Sequence, residues 1–250
     1  MLKALTHHLK VLFFGTREYE KEWADRENNC IHRGDWNESD PDWVKGYWDS
    51  INHPHRNHLI KEIALLKPSA ILEIGCNCGP NLRLLGNVCP QCRLLGIDIN
   101  PESVEKGNIW LRSEGQKNVN LIVGKADNLS QFPDNSFDIV FTDAVLIYIG
   151  PDKIQSVIQE ITRVAKKEVI LFEWNYPVSG IFNPLSIRNY VFRRGLWAWN
   201  YMALLKNSHK VAHISCQKIP PELWSDRYWQ QFGSLIRAEL HATKSPVDNQ

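Results

Sequence analysis

The chain has 250 residues with a formal net charge of +1, so no overall field favours nucleic acid or an anionic membrane. Its hydrophobic content of 43% is enough for a sizeable core, and no apolar run reaches the roughly 18 residues that a membrane-spanning helix needs. Because residues 1–14 lack a small-residue cleavage site after an apolar core, we expect a cytoplasmic protein with reduced thiols.

The first 54 residues are polar and rich in tryptophan, and we expect a helical extension that covers the substrate. Residues 9–14 are apolar with basic flanks, which is typical either of a helix packed on the domain or of peripheral membrane contact. Asp40-Pro41-Asp42 indicates a turn or a helix start. A helix over residues 42–48 would place Trp43 and Tyr47 on one face.

Three histidines and an arginine lie within residues 53–58, at the start of a helix that Lys67-Pro68 ends. The cluster is typical of a solvated helix cap, but an imidazole is also suited to accept a proton near pH 7. His53 and His55 are therefore candidate catalytic bases. No carboxylate stands at matching helical spacing, so we expect no metal at these histidines.

Residues 70–82 have the pattern of a buried strand, a glycine turn and the opening of a helix. Apolar residues surround Glu73 in the short continuous run of a parallel strand covered on both faces. Gly75 and Gly79 permit backbone angles and a close ligand approach that a Cβ would hinder, and Pro80 suits the first helical position. A strand, glycine turn and helix in this order present backbone N–H groups to a nucleotide-like ligand.

A second strand ends at Asp98, 19 positions after Gly79. This is close to the spacing at which an acid meets ribose hydroxyls in dinucleotide-binding units. A cap for the helix that Pro101 opens is the other explanation of Asp98.

Six cysteines raise the alternative of a metal site, since Cys89 and Cys92 have zinc-knuckle spacing. However, Cys76 and Cys78 fall inside the glycine turn, where a tetrahedral zinc ion would occupy the place of the ligand. We therefore favour free thiols and expect no metal.

Strands and helices alternate further along the chain. Strands are predicted at 119–123, 137–143 and 169–173, and helices from Pro101 to about Ser113 and from Pro151 onward. The alternation predicts a parallel sheet with helices on both faces.

This alternation fails over residues 175–200, where proline and glycine break any long element. The segment is too short to bury its own core, so we predict a loop-helix lid inserted after the fifth strand. We further predict a helix over 197–205, two final strands at 211–219 and 234–243, and a disordered tail at 246–250.

Over about residues 55–173, the glycine turn, Asp98, Asp127 and the strand order resemble the class I S-adenosylmethionine-dependent methyltransferases. The resemblance implies an α/β fold with a doubly wound, mostly parallel seven-stranded sheet, here within residues 55–245. It also implies S-adenosylmethionine as cofactor and S-adenosylhomocysteine as product. The segment from Glu73 to Gly79 is similar to the first motif of the family. Asn77, however, stands in the place of the middle glycine and adds a side chain near the ligand.

The resemblance also assigns roles to matched positions. Gly75 and Gly79 would lie against the methionine part and the ribose, with Glu73 organising the turn. The Asp98 carboxylate would accept hydrogen bonds from both ribose hydroxyls, and Asp127 with a main-chain N–H would contact the adenine edge. The residues expected at the cofactor are Glu73, Gly75, Cys76, Asn77, Gly79, Asp98, Ile99, Ala126, Asp127 and Thr142.

Asp143, at the end of the fourth strand, joins His53 and His55 as the third candidate catalytic residue, with Tyr148 and Glu173 as further candidates. The expected reaction is in-line methyl transfer to an oxygen or nitrogen of a small molecule with a ring, a sugar face or an acyl chain. We expect no nucleic-acid partner.

Two other classes of protein compete with this interpretation. An NAD-binding protein shares the sheet, but Asn77 and Pro80 stand where its second and third glycines would be. A catalytically inert cofactor-binding or scaffolding protein would keep the glycine turn and Asp98 but would lack a proton acceptor.

Overall fold

The computed structural model describes residues 15–26, 42–176, 190–193 and 195–242. The apolar residues 9–14, the tail at 246–250 and most of the predicted lid lie outside these ranges. None of the helices within them is both long and apolar enough to cross a membrane.

The described ranges contain nine strands and eight α-helices. The strands are β1 (Ala70–Ile74), β2 (Arg93–Asp98), β3 (Val119–Val123), β4 (Phe137–Asp143), β5 (Ala165–Trp174), β6 (Tyr190–Arg193), β7 (Leu196–Trp199), β8 (Val211–Lys218) and β9 (Gly233–Leu240). The helices are α1 (Thr16–Ala24), α2 (Trp43–Asp49), α3 (Pro54–Leu65), α4 (Pro80–Val88), α5 (Pro101–Ser113), α6 (Ile154–Val164), α7 (Tyr201–Lys206) and α8 (Arg227–Phe232).

Seven strands form one sheet in the order β3-β2-β1-β4-β5-β9-β8. The first five pair in parallel, and β9 is antiparallel to both of its neighbours, β5 and β8. The predicted doubly wound, mostly parallel seven-stranded sheet is therefore confirmed. The carboxyl ends of β1, β2, β3 and β4 meet at one edge, where ligands bind in open α/β sheets.

Helices cover both faces of the sheet, as the continuous apolar strands require. On one face, α2, α3, α4, α5 and α8 contribute to a buried cluster that includes Phe141 and Phe172. On the other face, α1, α6, α7 and β7 enclose a second cluster around Val140 and Leu171. Of the two N-terminal helices, α2 thus packs on the first cluster and α1 on the second.

Caps and prolines fix where several helices begin. Proline occupies the first turn of α3, α4 and α5, where its missing N–H costs nothing. The Asn100 side chain caps α5 by accepting a hydrogen bond from Ser103 N–H at 2.8 Å, and Asp42 caps α2 in the same way through Lys45 N–H. Asn100, not Asp98, is therefore the cap residue of α5.

One predicted helix starts too early. Residues 196–199 form β7, which pairs with β6 in a two-stranded hairpin, and α7 begins only at Tyr201. The buried tryptophans at 197 and 199 alternate with Ala198 in a pattern that suits a strand, and the Asn200 side chain caps the helix that follows. The described part of the predicted loop-helix lid is therefore a β-hairpin.

Candidate active site

A cavity opens at the carboxyl edge of the sheet. Six of the ten residues predicted at the cofactor line it: Gly75, Asn77, Asp98, Ile99, Ala126 and Asp127. They come from the ends of β1, β2 and β3, which the parallel register brings together. The adjacency of strand ends is the physical reason why residues about 50 positions apart share one site.

The glycine turn has little room for side chains. Gly75 has a φ of +72°, and a Cβ there would lie 2.3 Å from Val145 Cγ2. Asn77 also adopts the left-handed conformation, at φ +51°, which asparagine tolerates better than most residues. Its side-chain Oδ1 accepts a hydrogen bond from Cys78 N–H at 2.7 Å, so asparagine holds the turn where a glycine was expected.

Asp98 is tied to this turn through the backbone. One carboxylate oxygen accepts a hydrogen bond from Asn77 N–H at 2.7 Å and the other from Asn100 N–H at 2.8 Å. Burial raises the pKa of the Asp98 carboxyl, while these hydrogen bonds oppose the rise. Each carboxylate oxygen can accept more than one hydrogen bond, so both can still bind a ligand hydroxyl.

Four of the residues predicted at the cofactor do not line the cavity. They are Glu73, Cys76, Gly79 and Thr142, and they lie behind its lining. Glu73 Oε1 accepts a hydrogen bond from Asn81 Nδ2 at 2.7 Å, and burial raises the pKa of Glu73 to about 8. Cys76 packs against Gly96, where an added Cβ would be 2.5 Å from its sulfur. These residues shape the turn without reaching the cavity.

The three predicted catalytic residues are in contact. His55 Nε2 lies 2.9 Å from Asp143 Oδ2, and His55 Nδ1 is hydrogen-bonded to His53 Nδ1. Asp143 lines the cavity, whereas His55 is buried beside it and His53 is half-buried toward the outside. We call this chain of side chains the Asp143 relay.

Asp143 is surrounded by donors that sequence reasoning did not connect to it. Arg56 Nη1 lies 3.3 Å from Asp143 Oδ2, and Asn81 Nδ2 lies 3.0 Å from the same oxygen. Burial alone would raise the pKa of Asp143, but His55, Arg56 and the Asn81 hydrogen bond outweigh it and hold that pKa well below its usual range. Asp143 Oδ1 is buried and has no hydrogen-bond partner among the described residues.

Aromatic rings cover the outer side of the relay. The Trp224 ring centroid is 4.4 Å from that of His55 and 4.9 Å from that of His53. Trp224 also stacks on Trp229 at 3.9 Å with an interplanar angle of 9°. Both tryptophans follow β8, in the aromatic segment between the last two strands, and they exclude water from His55.

Helix α1 completes the cavity with residues that the sequence analysis did not identify. Thr16, Tyr19, Glu20 and Trp23 line it, together with Tyr47 of α2 and Tyr148 after β4. Lys125 and Lys153 line it beside Asp127. No local motif marks α1, because its contacts join residues more than 70 positions apart.

The Cys89 and Cys92 thiols are buried away from the cavity, and Cys92 Sγ donates a hydrogen bond to Pro68 O at 2.9 Å. Within the ranges that the structure describes, no group of three or more His, Cys, Asp or Glu side chains has an arrangement that would hold a metal ion.

Comparisons with known proteins agree with this geometry. Residues 71–168 match the family model described as a methyltransferase domain. A protein named probable tocopherol O-methyltransferase from Oryza sativa is 35% identical over 113 residues, which cover 43% of this chain and 30% of the relative. A sterol 24-C-methyltransferase from Aspergillus fumigatus is 27% identical over 123 residues, covering 48% of this chain and 32% of the relative. The chain thus spans about a third of the length of these curated relatives.

A solved structure of similar fold is a SAM-dependent methyltransferase from Aquifex aeolicus, with a TM-score of 0.57 and 17% identity. The similarity covers 80% of this chain and 97% of that one. Residues 71–168 therefore match a methyltransferase domain, and the chain shares its fold with a SAM-dependent methyltransferase.

Proposed function

We propose that the protein is an enzyme that transfers a methyl group from S-adenosylmethionine to an oxygen or nitrogen of a small, lipid-like acceptor that contains a ring. The observation that carries the proposal is the cavity at the carboxyl edge of the sheet, where the glycine turn meets three aspartates. Asp98, Asp127 and Asp143 come from three different strand ends and all line this one space.

The chemistry of the lining fits the cofactor part by part. Asp98 offers two acceptor oxygens to the ribose diol, and Ile99 with Ala126 offers apolar contact to the adenine. The Asp127 carboxylate suits the adenine amino group. Asp143 Oδ1, buried and without a partner among the described residues, suits the ammonium group of the methionine part.

The charge of the lining supports a cationic ligand over NAD. Four carboxylates line the cavity, from Glu20, Asp98, Asp127 and Asp143, against the ammonium groups of Lys125 and Lys153. A ligand with a positively charged sulfur reduces this excess of negative charge, whereas a dinucleotide would add two phosphate charges to it. Aromatic rings in the lining also attract a cation.

When bound, the cofactor supplies a methyl group that its positively charged sulfur already activates. The residues of the chain then have to orient the acceptor, exclude water and receive its proton. Tyr47, Trp23 and Tyr148 line the cavity with aromatic surface that suits a ring or an apolar chain. Both named relatives carry a lipid in their names, and this supports a lipid-like acceptor.

The Asp143 relay is the proposed route for the proton. Because Asp143 is ionised, its contact with His55 places a proton on His55 Nε2 and leaves the Nδ1 lone pair toward His53. His53 Nδ1 then donates that hydrogen bond, so His53 Nε2 is the free basic end. Burial and the neighbouring His55 and Arg56 lower the pKa of His53 to about 4, so this ring is neutral, and only a weak base, at pH 7.

Calorimetry and thermal unfolding with S-adenosylhomocysteine, S-adenosylmethionine and NAD test the cofactor assignment. Either sulfur ligand at about 100 times its dissociation constant should stabilise the protein by about 2.7 kcal/mol, and NAD should not. Asp98→Asn should weaken binding by at least about tenfold, because hydrogen bonds to a charged acceptor contribute about 1.5–3 kcal/mol. The matched control is Asp134→Asn, since Asp134 is exposed at the opposite edge of the sheet and pairs with Arg163.

A methyl-transfer assay over phenols, quinols and sterols then separates the enzyme from an inert binder. Product formation that falls in His55→Gln supports the proposal. Tight binding of S-adenosylhomocysteine with no methylated product from any acceptor in the panel favours the binding protein. No binding of either sulfur ligand would contradict both.

A further inference from the structure

Helix α1 lies across the cavity and is fastened at both ends. At its start, the Thr16 N–H and hydroxyl donate to Asp152 Oδ1 at 3.0 and 2.7 Å, and Gly150 N–H donates to the Thr16 hydroxyl at 2.8 Å. At its end, Asn100 Nδ2 donates to Trp23 O at 2.8 Å. Four side chains of α1 line the cavity, so this helix is placed to cover a bound ligand.

Between these ends, one lysine joins α1 to the adenine side of the cavity. Lys153 Nζ lies 2.5 Å from Glu20 Oε1 of α1 and 2.7 Å from Asp127 Oδ2. The three side chains are 16–26% exposed, so solvent screens their charges only partly. Lys125 contacts the other Glu20 oxygen at 3.0 Å but is 51% exposed. Among the described residues, the ion pair of Asp127 is with Lys153 and not with Lys125.

We infer that Glu20, Lys153 and Asp127 form a charged clasp that couples the closure of α1 to occupation of the adenine end of the cavity. Lys153 and Glu20 are positioning residues in this arrangement, acting through Asp127 and through α1. The inference rests on the proposed function, because Asp127 is the residue that would contact the adenine. It adds that retention of the ligand depends on a helix nearly 130 positions away from Lys153.

The coupling follows from the shared cation. Lys153 contacts two carboxylates at once, and its single positive charge is shared between them. A ligand that donates a hydrogen bond to Asp127 holds this carboxylate in place, and the fixed Asp127 in turn fixes Lys153 where it meets Glu20. Closure of α1 and binding at Asp127 therefore favour each other, as reciprocal coupling between two sites requires.

Stopped-flow fluorescence with S-adenosylhomocysteine tests the clasp without any acceptor, because Trp23 lines the cavity and its emission should report on the ligand. Glu20→Gln and Lys153→Met should each accelerate ligand dissociation by at least about fivefold. The double variant should be no faster than the faster single variant, because both changes remove one interaction. Lys106→Met is the matched control, because Lys106 is 28% exposed and pairs with Glu102 outside the cavity lining, and it should change the rate less than twofold.

Salt and a conservative variant separate a clasp from a general loss of packing. Raising the ionic strength should accelerate dissociation from the wild type but not from Lys153→Met. Lys153→Arg, which keeps the charge, should restore slow release. Amide exchange in α1 should slow on ligand binding in the wild type and not in Glu20→Gln.

Ligand binding with wild-type dissociation rates in both Glu20→Gln and Lys153→Met would overturn the clasp and leave the proposed function intact. Equal acceleration in the Lys106→Met control would overturn it as well. Failure of the wild type to bind S-adenosylhomocysteine would overturn the proposed function together with the clasp.

Discussion

At the scale of single residues, Asp143 is the centre of the hydrogen-bond network, because three polar side chains contact its carboxylate. His55, Arg56 and Asn81 each contact its Oδ2 atom, and Asn81 connects it to Glu73. A buried carboxylate with so many donors is a fixed negative charge and a poor proton acceptor. In the proposed relay, the role of Asp143 is therefore to orient His55.

We predict an unusual tautomer for His53. Because Asp143 fixes the proton of His55 at Nε2, His53 should carry its proton at Nδ1, the less common position for a free imidazole. Nitrogen-15 NMR of the imidazoles, assigned with His53→Gln and His55→Gln, should show one histidine in each form at pH 7.

The matched variant for this measurement is Asp143→Asn, which keeps the shape of the side chain and removes its charge. It should abolish the preference at both rings. His53 protonated at Nε2 in the wild type would contradict the assigned direction of the relay.

Local spacing explains why some residues of the site are predictable. Gly75, Asn77 and Asp98 follow the ends of adjacent strands, so the alternation of strand and helix already places them together. Arg56 and Asn81 carry no comparable signal, because the helices α3 and α4 meet only in the folded chain. The histidine cluster was detectable by residue type, but its contact with Asp143 was not.

At the scale of elements, the β6–β7 hairpin supports helix α1. Trp197 is 2% exposed and packs edge-to-face against Tyr19 with ring centroids 5.7 Å apart. The Tyr19 hydroxyl donates a hydrogen bond to Gly195 O, in the turn between β6 and β7. The hairpin thus positions a helix that lines the cavity, although neither of its strands belongs to the main sheet.

We predict that Trp197→Ala will loosen α1 and lower the stability of the whole domain. Truncation of a buried tryptophan costs about 3–5 kcal/mol, and here the lost ring contacts α1 directly. Hydrogen exchange should therefore become faster in residues 16–24 than global destabilisation explains. Trp110→Ala is the control, because Trp110 packs against Trp48 on the opposite face of the sheet.

The hairpin also marks a limit of sequence reasoning. Residues 197–205 have enough apolar character for a helix, but the pairing of residues 196–199 with residues 190–193 makes the first part a strand. That pairing is a tertiary contact, which local propensity does not encode. By contrast, α6 was predictable because its buried residues repeat with helical periodicity against the sheet.

At the scale of the whole molecule, two buried glutamates should make stability depend on pH. Burial raises the pKa of Glu73 to about 8 and that of Glu173 to about 7, from an ordinary value of 4.5. At a pH between 4.5 and these raised pKa values, each glutamate is protonated in the folded state but has lost its proton in the unfolded state. The contribution of these two glutamates to the free energy of unfolding should therefore be greatest at and below pH 4.5. It should fall as the pH rises to about 8.

Urea unfolding at several pH values between 5 and 8.5 tests this expectation. Glu173→Gln should flatten the decline below pH 7 and Glu73→Gln the decline toward pH 8, because both amides keep the accepting oxygen but do not titrate. A double variant with the same pH dependence as the wild type would contradict the assignment.

The position of β9 has a consequence for synthesis of the chain. Within the sheet, β8 pairs only with β9, and β9 is also the strand that covers the open edge of β5. In a ribosome-bound chain that has emerged only as far as β8, the five parallel strands lack β9. The apolar strand β5 then forms an unpaired edge. Such edges invite pairing with other nascent chains, and β9 closes this edge when it pairs with β5.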